Sequence, residues 1–218
     1  MKTLQFFHPT NPSSPVFPFL LTVPDDRQPG EKLPLILFLH GAGERGVDGH
    51  AIHVHGIPKY FSRHSSYGGL RVITLSPQCP PEMTWNHYLF ELKELVDTVV
   101  REQGADPDAV SITGISMGGF GTWEMLCTYP DTFSAGAPIC GGGMGWRACF
   151  STPVRAFHGD ADDDVLPAYS IIMCDALNAH GGHADLTLYH QCGHNCWERA
   201  YEQSNVIAWL ASQRRCRP

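Results

Sequence analysis

Between residues 110 and 128 the chain reads VSITGISMGGFGTWEMLCT. A short strand pattern, Val110 to Gly114, meets a helical pattern from Met117 to Thr128 with two residues between them. A turn that tight crowds the residues two before and two after its apex, and both are glycine, Gly114 and Gly118. The apex is Ser116. Such a turn lifts the apex side chain above the edge of a sheet, so it requires a central strand with a helix packed back against it. Gly119 and Gly121 allow further close approach of that helix.

The rest of the chain continues the alternation of strand and helix. Leu33 to His40 (LPLILFLH) is unbroken and apolar, as expected of a strand buried on both faces. Leu70 to Ser76, Phe133 to Cys140, Val154 to His158 and Leu186 to His190 read as further strands, and Val16 to Val23 as an edge strand. Asn86 to Gln103 is an amphipathic helix, with Leu89, Leu92, Leu95, Val96, Val99 and Val100 at helical spacing and Gly104 and Pro107 beyond its end. Pro167 opens a helix that Gly181-Gly182 closes, and Trp197 to Gln213 is the last helix. The pattern predicts an α/β fold: one domain over residues 1–218, three layers α/β/α, a mostly parallel sheet and little or no lid.

A serine hydroxyl needs a base to accept its proton, and the base needs a carboxylate to orient it. In this architecture they follow the serine in the order acid, then base, each on a loop after a strand. Residues 158–165, HGDADDDV, hold four aspartates after the strand VRAF. Asp162 is the chosen acid and Asp163 the alternative. Asp160 lies closer to the strand and is suited to local backbone N–H groups, and Asp163 and Asp164 are suited to capping the next helix. His194, in QCGHN, lies between the last strand and the last helix and is the chosen base. His190 is the second choice, although it falls within the strand pattern.

The loop HGAGERG, residues 40–46, follows the first central strand. Acyl transfer needs preorganised donors for a developing oxyanion. The backbone N–H groups of Met117 and Ala42 are the candidates, each worth about 3 kcal/mol. Glu44 and Arg45 pair with each other or with neighbouring loops to stiffen this segment; alternatively, Arg45 contacts substrate. Trp85 and Trp197 are further candidates to line the cleft, the latter with packing of the last helix as its alternative. Trp123, inside the nucleophile helix, is expected in the core. Little chain remains for a cap. The polar stretch between the 40–46 loop and Leu70, with His50, His53, His55 and His64, is the largest insertion, which predicts an open cleft for small or slim acyl groups.

Apolar residues make up 43% of the 218 and charged residues 17%, which fits a globular chain. The formal charge of −7, without a basic block, argues against nucleic acid or an anionic membrane as partner. The first fifteen residues form no signal peptide, because His8 and Pro9 break the apolar run, and no stretch is long enough to span a bilayer. A cytoplasmic protein is expected, monomeric or homodimeric, with eight mostly buried and reduced cysteines. Cys192 and Cys196 flank the base on a loop too short for an unstrained bridge. His50, His53 and His55 match no common structural zinc spacing, so no metal is expected.

Five motifs, LILFLHGAGERG (35–46), LSPQCP (75–80), ITGISMGGFGTW (112–123), FHGDADDDV (157–165) and GHNCWERAY (193–201), together resemble the single-domain carboxylesterases. More narrowly, they resemble a bacterial group described as predicted peptidases or phospholipase/carboxylesterase-like hydrolases of the α/β-hydrolase class. The resemblance spans residues 33–201. It implies a three-layer fold, no cofactor and hydrolysis of short-acyl esters, a small-molecule substrate. It carries the nucleophile to Ser116, the acid to Asp162, the base to His194 and the oxyanion donors to Ala42 and Met117.

Overall fold

The computed structural model describes residues 2–7, 17–64 and 69–215. The start of the first expected strand, at Val16, and most of the N-terminal segment 1–15 lie outside them.

Leu35–Leu39, β3, is buried at every position. Its side chains alternate between two cores, as the twofold period of a strand requires. Leu35, Leu37 and Leu39 enter one core; Ile36 and Phe38 enter the other. The first core is closed by the helices α2 (Leu89–Gln103), α3 (Met117–Thr128) and α4 (Ala168–Ala179), through residues such as Leu92, Trp123 and Met173. The second is closed by α1 (Gly56–Arg63), α5 (Trp197–Gln203) and α6 (Val206–Ser212), through residues such as Ile57, Tyr201 and Ile207. Three layers result because both faces of the sheet are apolar and each needs its own helical cover.

The other strands are β1 (Lys2–Phe7), β2 (Phe19–Pro24), β4 (Ile73–Pro77), β5 (Val110–Ile115), β6 (Ala135–Ile139), β7 (Val154–Gly159) and β8 (Ala184–Tyr189). They lie in the order β1-β2-β4-β3-β5-β6-β7-β8. β1 and β2 run antiparallel to their neighbours, and the pairings from β4 to β8 are parallel. The segment read as an edge strand is therefore second in the sheet, because β1 pairs along all of β2.

Two further expectations are corrected, and the polar insertion proves to hold a helix. The helix expected from Asn86 begins as a short 3-10 turn, Trp85–His87, and the α-helix starts at Leu89; its end at Gly104, in the left-handed region at φ 56°, agrees with the sequence. The last helix is two helices. At Ser204 the backbone is extended and its hydroxyl donates to the carbonyl of Ala200 and accepts from the N–H of Val206, so one side chain ends α5 and starts α6. The polar stretch after residue 46 contains α1. That helix buries Ile57 and Phe61 and turns Lys59 and Arg63 toward Glu198 of α5, with Lys59 Nζ 2.5 Å and Arg63 Nη1 3.7 Å from its carboxylate. Its Pro58 sits in the first turn, where a missing N–H removes no helical bond.

Backbone packs closely against backbone at the turn from β5 to α3. A Cβ on Gly114 would meet the carbonyl of Gly118, and one on Gly118 would meet the carbonyl of Leu39 in β3. Both obstacles are backbone and cannot rotate away. Gly118→Ala is therefore expected to cost about 3 kcal/mol or more of stability, read as a lowered urea midpoint.

Candidate active site

Ser116 is held at φ 52°, ψ −117°, outside the regions a serine ordinarily adopts. Its N–H donates to the carbonyl of Ile139, and its own carbonyl accepts from the N–H of Phe120 one turn along α3. These bonds and the two flanking glycines fix the strained residue at the carboxyl edge of the parallel strands.

His194 and Asp162 reach the same point from the loops after β8 and β7. His194 Nε2 lies 2.8 Å from Ser116 Oγ, and His194 Nδ1 lies 2.7 Å from Asp162 Oδ2. An ionised Asp162 only accepts, so Nδ1 carries the proton and Nε2 is left to accept from the serine hydroxyl. The base loop rests on β7: a Cβ on Gly159 would strike the carbonyls of Cys192 and Gly193, and Ala161 N–H donates to Cys192 O. The His194 side chain is 19% exposed, and that of Asp162 is fully buried.

Asp162 uses both oxygens. Oδ1 accepts from the backbone N–H groups of Asp164 and Val165 at 3.0 and 2.9 Å. Oδ2 accepts from His194 and faces His158 Nε2 at 3.2 Å. Burial opposes the charge, but the hydrogen bonds from His194 and Val165 outweigh it and hold the carboxyl below its usual range. The Cys140 sulfur and then the Asp162 carboxylate raise the His194 imidazole above the ordinary 6.5. Asp163 and Asp164 are exposed and do not cap α4, whose N-terminus begins at Pro167. Asp160 pairs with His190 at 2.8 Å on the surface, so the second-choice base lies past the end of β8 and away from Ser116.

His158 was not foreseen. It is fully buried, with Nδ1 2.7 Å from Ser170 Oγ and Nε2 2.8 Å from Val165 O. Ser170 in turn donates to Gly141 O. These bonds tie the acid loop to α4 and to the segment after β6. The signal lay in the motif itself, where a polar histidine ends an apolar strand.

The 40–46 loop is also built from within. Cys79 N–H donates to His40 Nε2, so the proton sits on Nδ1, which donates to Gly41 O at 2.6 Å. Gln78 donates to Glu44 O and accepts from Gly49 N–H. Ala42 and Met117 each open a helical turn, where the first N–H groups have no intrahelical acceptor. Glu44 does not pair with Arg45. It turns inward to within 3.9 Å of His40 and 3.8 Å of His55, and burial raises its carboxyl. Arg45 Nε donates to Met83 O at 2.6 Å and so links this loop to the one after β4.

Of the two tryptophans expected at the cleft, one adjoins His194. Trp197 stands edge-on to the His194 ring at 5.4 Å and is only partly buried. Trp85 is a correction: it is fully buried, and its indole N–H donates to His40 O, so it supports the loop from below and offers no face to a substrate. Trp123 is in the core as expected. Among the described residues, the groups able to hold a metal, Cys140–His158–Asp162 and Asp162–Asp164–His194, both draw on Asp162, whose oxygens already face four N–H groups. None includes His50, His53 or His55.

The profile of the family described as "Putative esterase" matches residues 17–215. Among solved structures, a thermostable esterase is 30% identical, with a TM-score of 0.85 over 98% of this chain and 63% of that one. Est1E from Butyrivibrio proteoclasticus is 14% identical, with a TM-score of 0.68 over 95% of this chain and 96% of its own, a likeness of fold alone. Poly(3-hydroxyalkanoate) depolymerase C of Paucimonas lemoignei is 45% identical over 51 residues, 23% of this chain and 12% of that protein. The chain thus spans less than two thirds of either the thermostable esterase or the depolymerase. No helix among the described residues is long and apolar enough to cross a membrane.

Burial lowers the His40 imidazole from 6.5 to about 4. Below pH 6.5 the unfolded chain binds a proton that the folded chain refuses. Stability is therefore expected to fall as the pH drops from 6.5 towards 4, by about 3 kcal/mol from this residue. Urea unfolding across that window checks it. His40→Gln, which has no ring to protonate, is expected to start less stable and to show the flatter profile.

Proposed function

The chain belongs to the "Putative esterase" family, and from that premise we propose that it is a serine carboxylesterase acting on short-acyl esters through an acyl-enzyme. The observation that carries this reading is the unbroken contact chain from Ser116 Oγ through the His194 ring to Asp162 Oδ2, at 2.8 and 2.7 Å.

Ser116 Oγ attacks the ester carbonyl while His194 Nε2 takes its proton. Asp162 keeps the ring oriented and stabilises the imidazolium as it forms. The N–H groups of Ala42 and Met117 receive the oxyanion. His194 returns the proton to the departing alcohol, then takes one from water as that water attacks the acyl carbonyl, and passes it to Ser116 Oγ as the acid is released.

Ser116→Ala is expected to lower kcat for p-nitrophenyl butyrate by about 10⁴-fold or more, with folding unchanged by circular dichroism. Turnover at the wild-type rate would remove the proposal. The base must be neutral to accept a proton, so kcat/KM falls as the pH drops through its pKa. Because that pKa is raised, the acid limb of the pH profile is expected above 6.5. Comparing kcat/KM for an aryl ester, an acyl thioester and a prolyl amide separates esterase from thioesterase and peptidase action on the same residues. Failure to label with a fluorophosphonate would point instead to an inactive binding module.

A further inference from the structure

Seven cysteines lie among the described residues, all as thiols. Two of them meet. Cys140 directly follows β6 in the left-handed region at φ 48°, an unusual place for a residue with a side chain. Cys196 directly precedes α5, two residues after His194. They are 56 positions apart in sequence, both fully buried, and their sulfurs lie 3.0 Å apart. Cys140 Sγ is also 3.0 Å from the carbonyl of His194, which accepts from Cys196 N–H as well. Cys192, which shares the loop with Cys196 but was judged too near in sequence to bridge to it without strain, is not the cysteine whose sulfur adjoins it.

We propose that Cys140 and Cys196 are a disulfide-forming pair, closed by exchange with a low-molecular-weight disulfide, and that the bond fastens the base loop to the end of β6. The Cys140 thiolate attacks one sulfur of the small disulfide and releases one thiolate. Cys196, as it loses its proton, attacks the mixed disulfide at Cys140 and expels the second. Two protein thiols are oxidised to one disulfide, the small disulfide is reduced to two thiols, and the two protein protons end on the two leaving sulfurs. In the folded chain the S–H of Cys196 facing Cys140 holds the Cys140 thiol below its ordinary range and raises Cys196. By contrast, burial pushes Cys79, Cys127 and Cys174 up. The pairing stands independently of the catalytic reading; only its effect on the base rests on it.

Because both sulfurs are buried, the test uses refolding, which exposes them. The full chain, reduced and unfolded, is refolded with excess oxidised glutathione, quenched in acid, alkylated in denaturant and mapped by tandem mass spectrometry. A Cys140–Cys196 cross-link is expected, absent from Cys196→Ser, with a Tm raised by about 5 °C over the reduced protein. Recovery of folded protein in which both cysteines are alkylated, or in which Cys196 is joined to Cys192, overturns the pairing. A cross-link that leaves Tm unchanged overturns the fastening of the loop. Fluorophosphonate labelling of both forms reports separately on Ser116, so a failed catalytic reading is not mistaken for a failed disulfide.

Discussion

The site depends on how closely the first turn of α3 lies against the carbonyl of Leu39. With no side chain at Gly118 or Gly114, helix and strands come together until backbone touches backbone. Ser116 takes its strained angles as a result, since no relaxed conformation joins strand to helix in so short a space. The same closeness sets the start of α3, and with it the N–H of Met117, beside the segment that leaves β3. The geometry of Ser116 and the position of the Met117 N–H are thus two outcomes of one steric fact.

The other half of the site is assembled by polar contacts. The loop bearing Asp162 and the loop bearing His194 touch over Gly159, where backbone again approaches backbone. His158 and Ser170 bind the acid loop to α4, and the sulfur of Cys140 lies under the base loop. Every oxygen of the buried carboxylate has an N–H group facing it, so Asp162 remains charged in an enclosed position.

Those elements whose cause is local were legible in the sequence. The apolar run of β3, the paired glycines around Ser116 and the helical spacing of α2 each state their structure without help from distant residues. Order along the chain narrowed the candidates to the loops after β7 and β8, placement within those loops favoured Asp162 and His194, and the structure brings both side chains to Ser116. What was not legible is decided at long range. α1 lies in a stretch whose sequence shows only polarity, and its cover comes from α5, which supplies Glu198 opposite Lys59. Trp85 looks like a cleft residue until the carbonyl of His40 claims its indole N–H. Ser204 looks like an ordinary helical serine until its hydroxyl is seen to serve both flanking helices. No spacing rule announces that Cys140 and Cys196, 56 positions apart, come into contact.

The ring of His40 stands between two segments, accepting from Cys79 N–H on one side and donating to Gly41 O on the other. Few side chains of similar size offer an acceptor and a donor at that separation. An exchange at residue 40 that kept only one of these capacities would strand either an amide of the LSPQCP segment or a carbonyl of the HGAGERG segment in the dry interior. Divergence in the two motifs should therefore be coupled: a descendant that puts a side chain without both capacities at residue 40 loses stability unless the chain around Cys79 changes with it, although nearly forty residues separate them in the sequence.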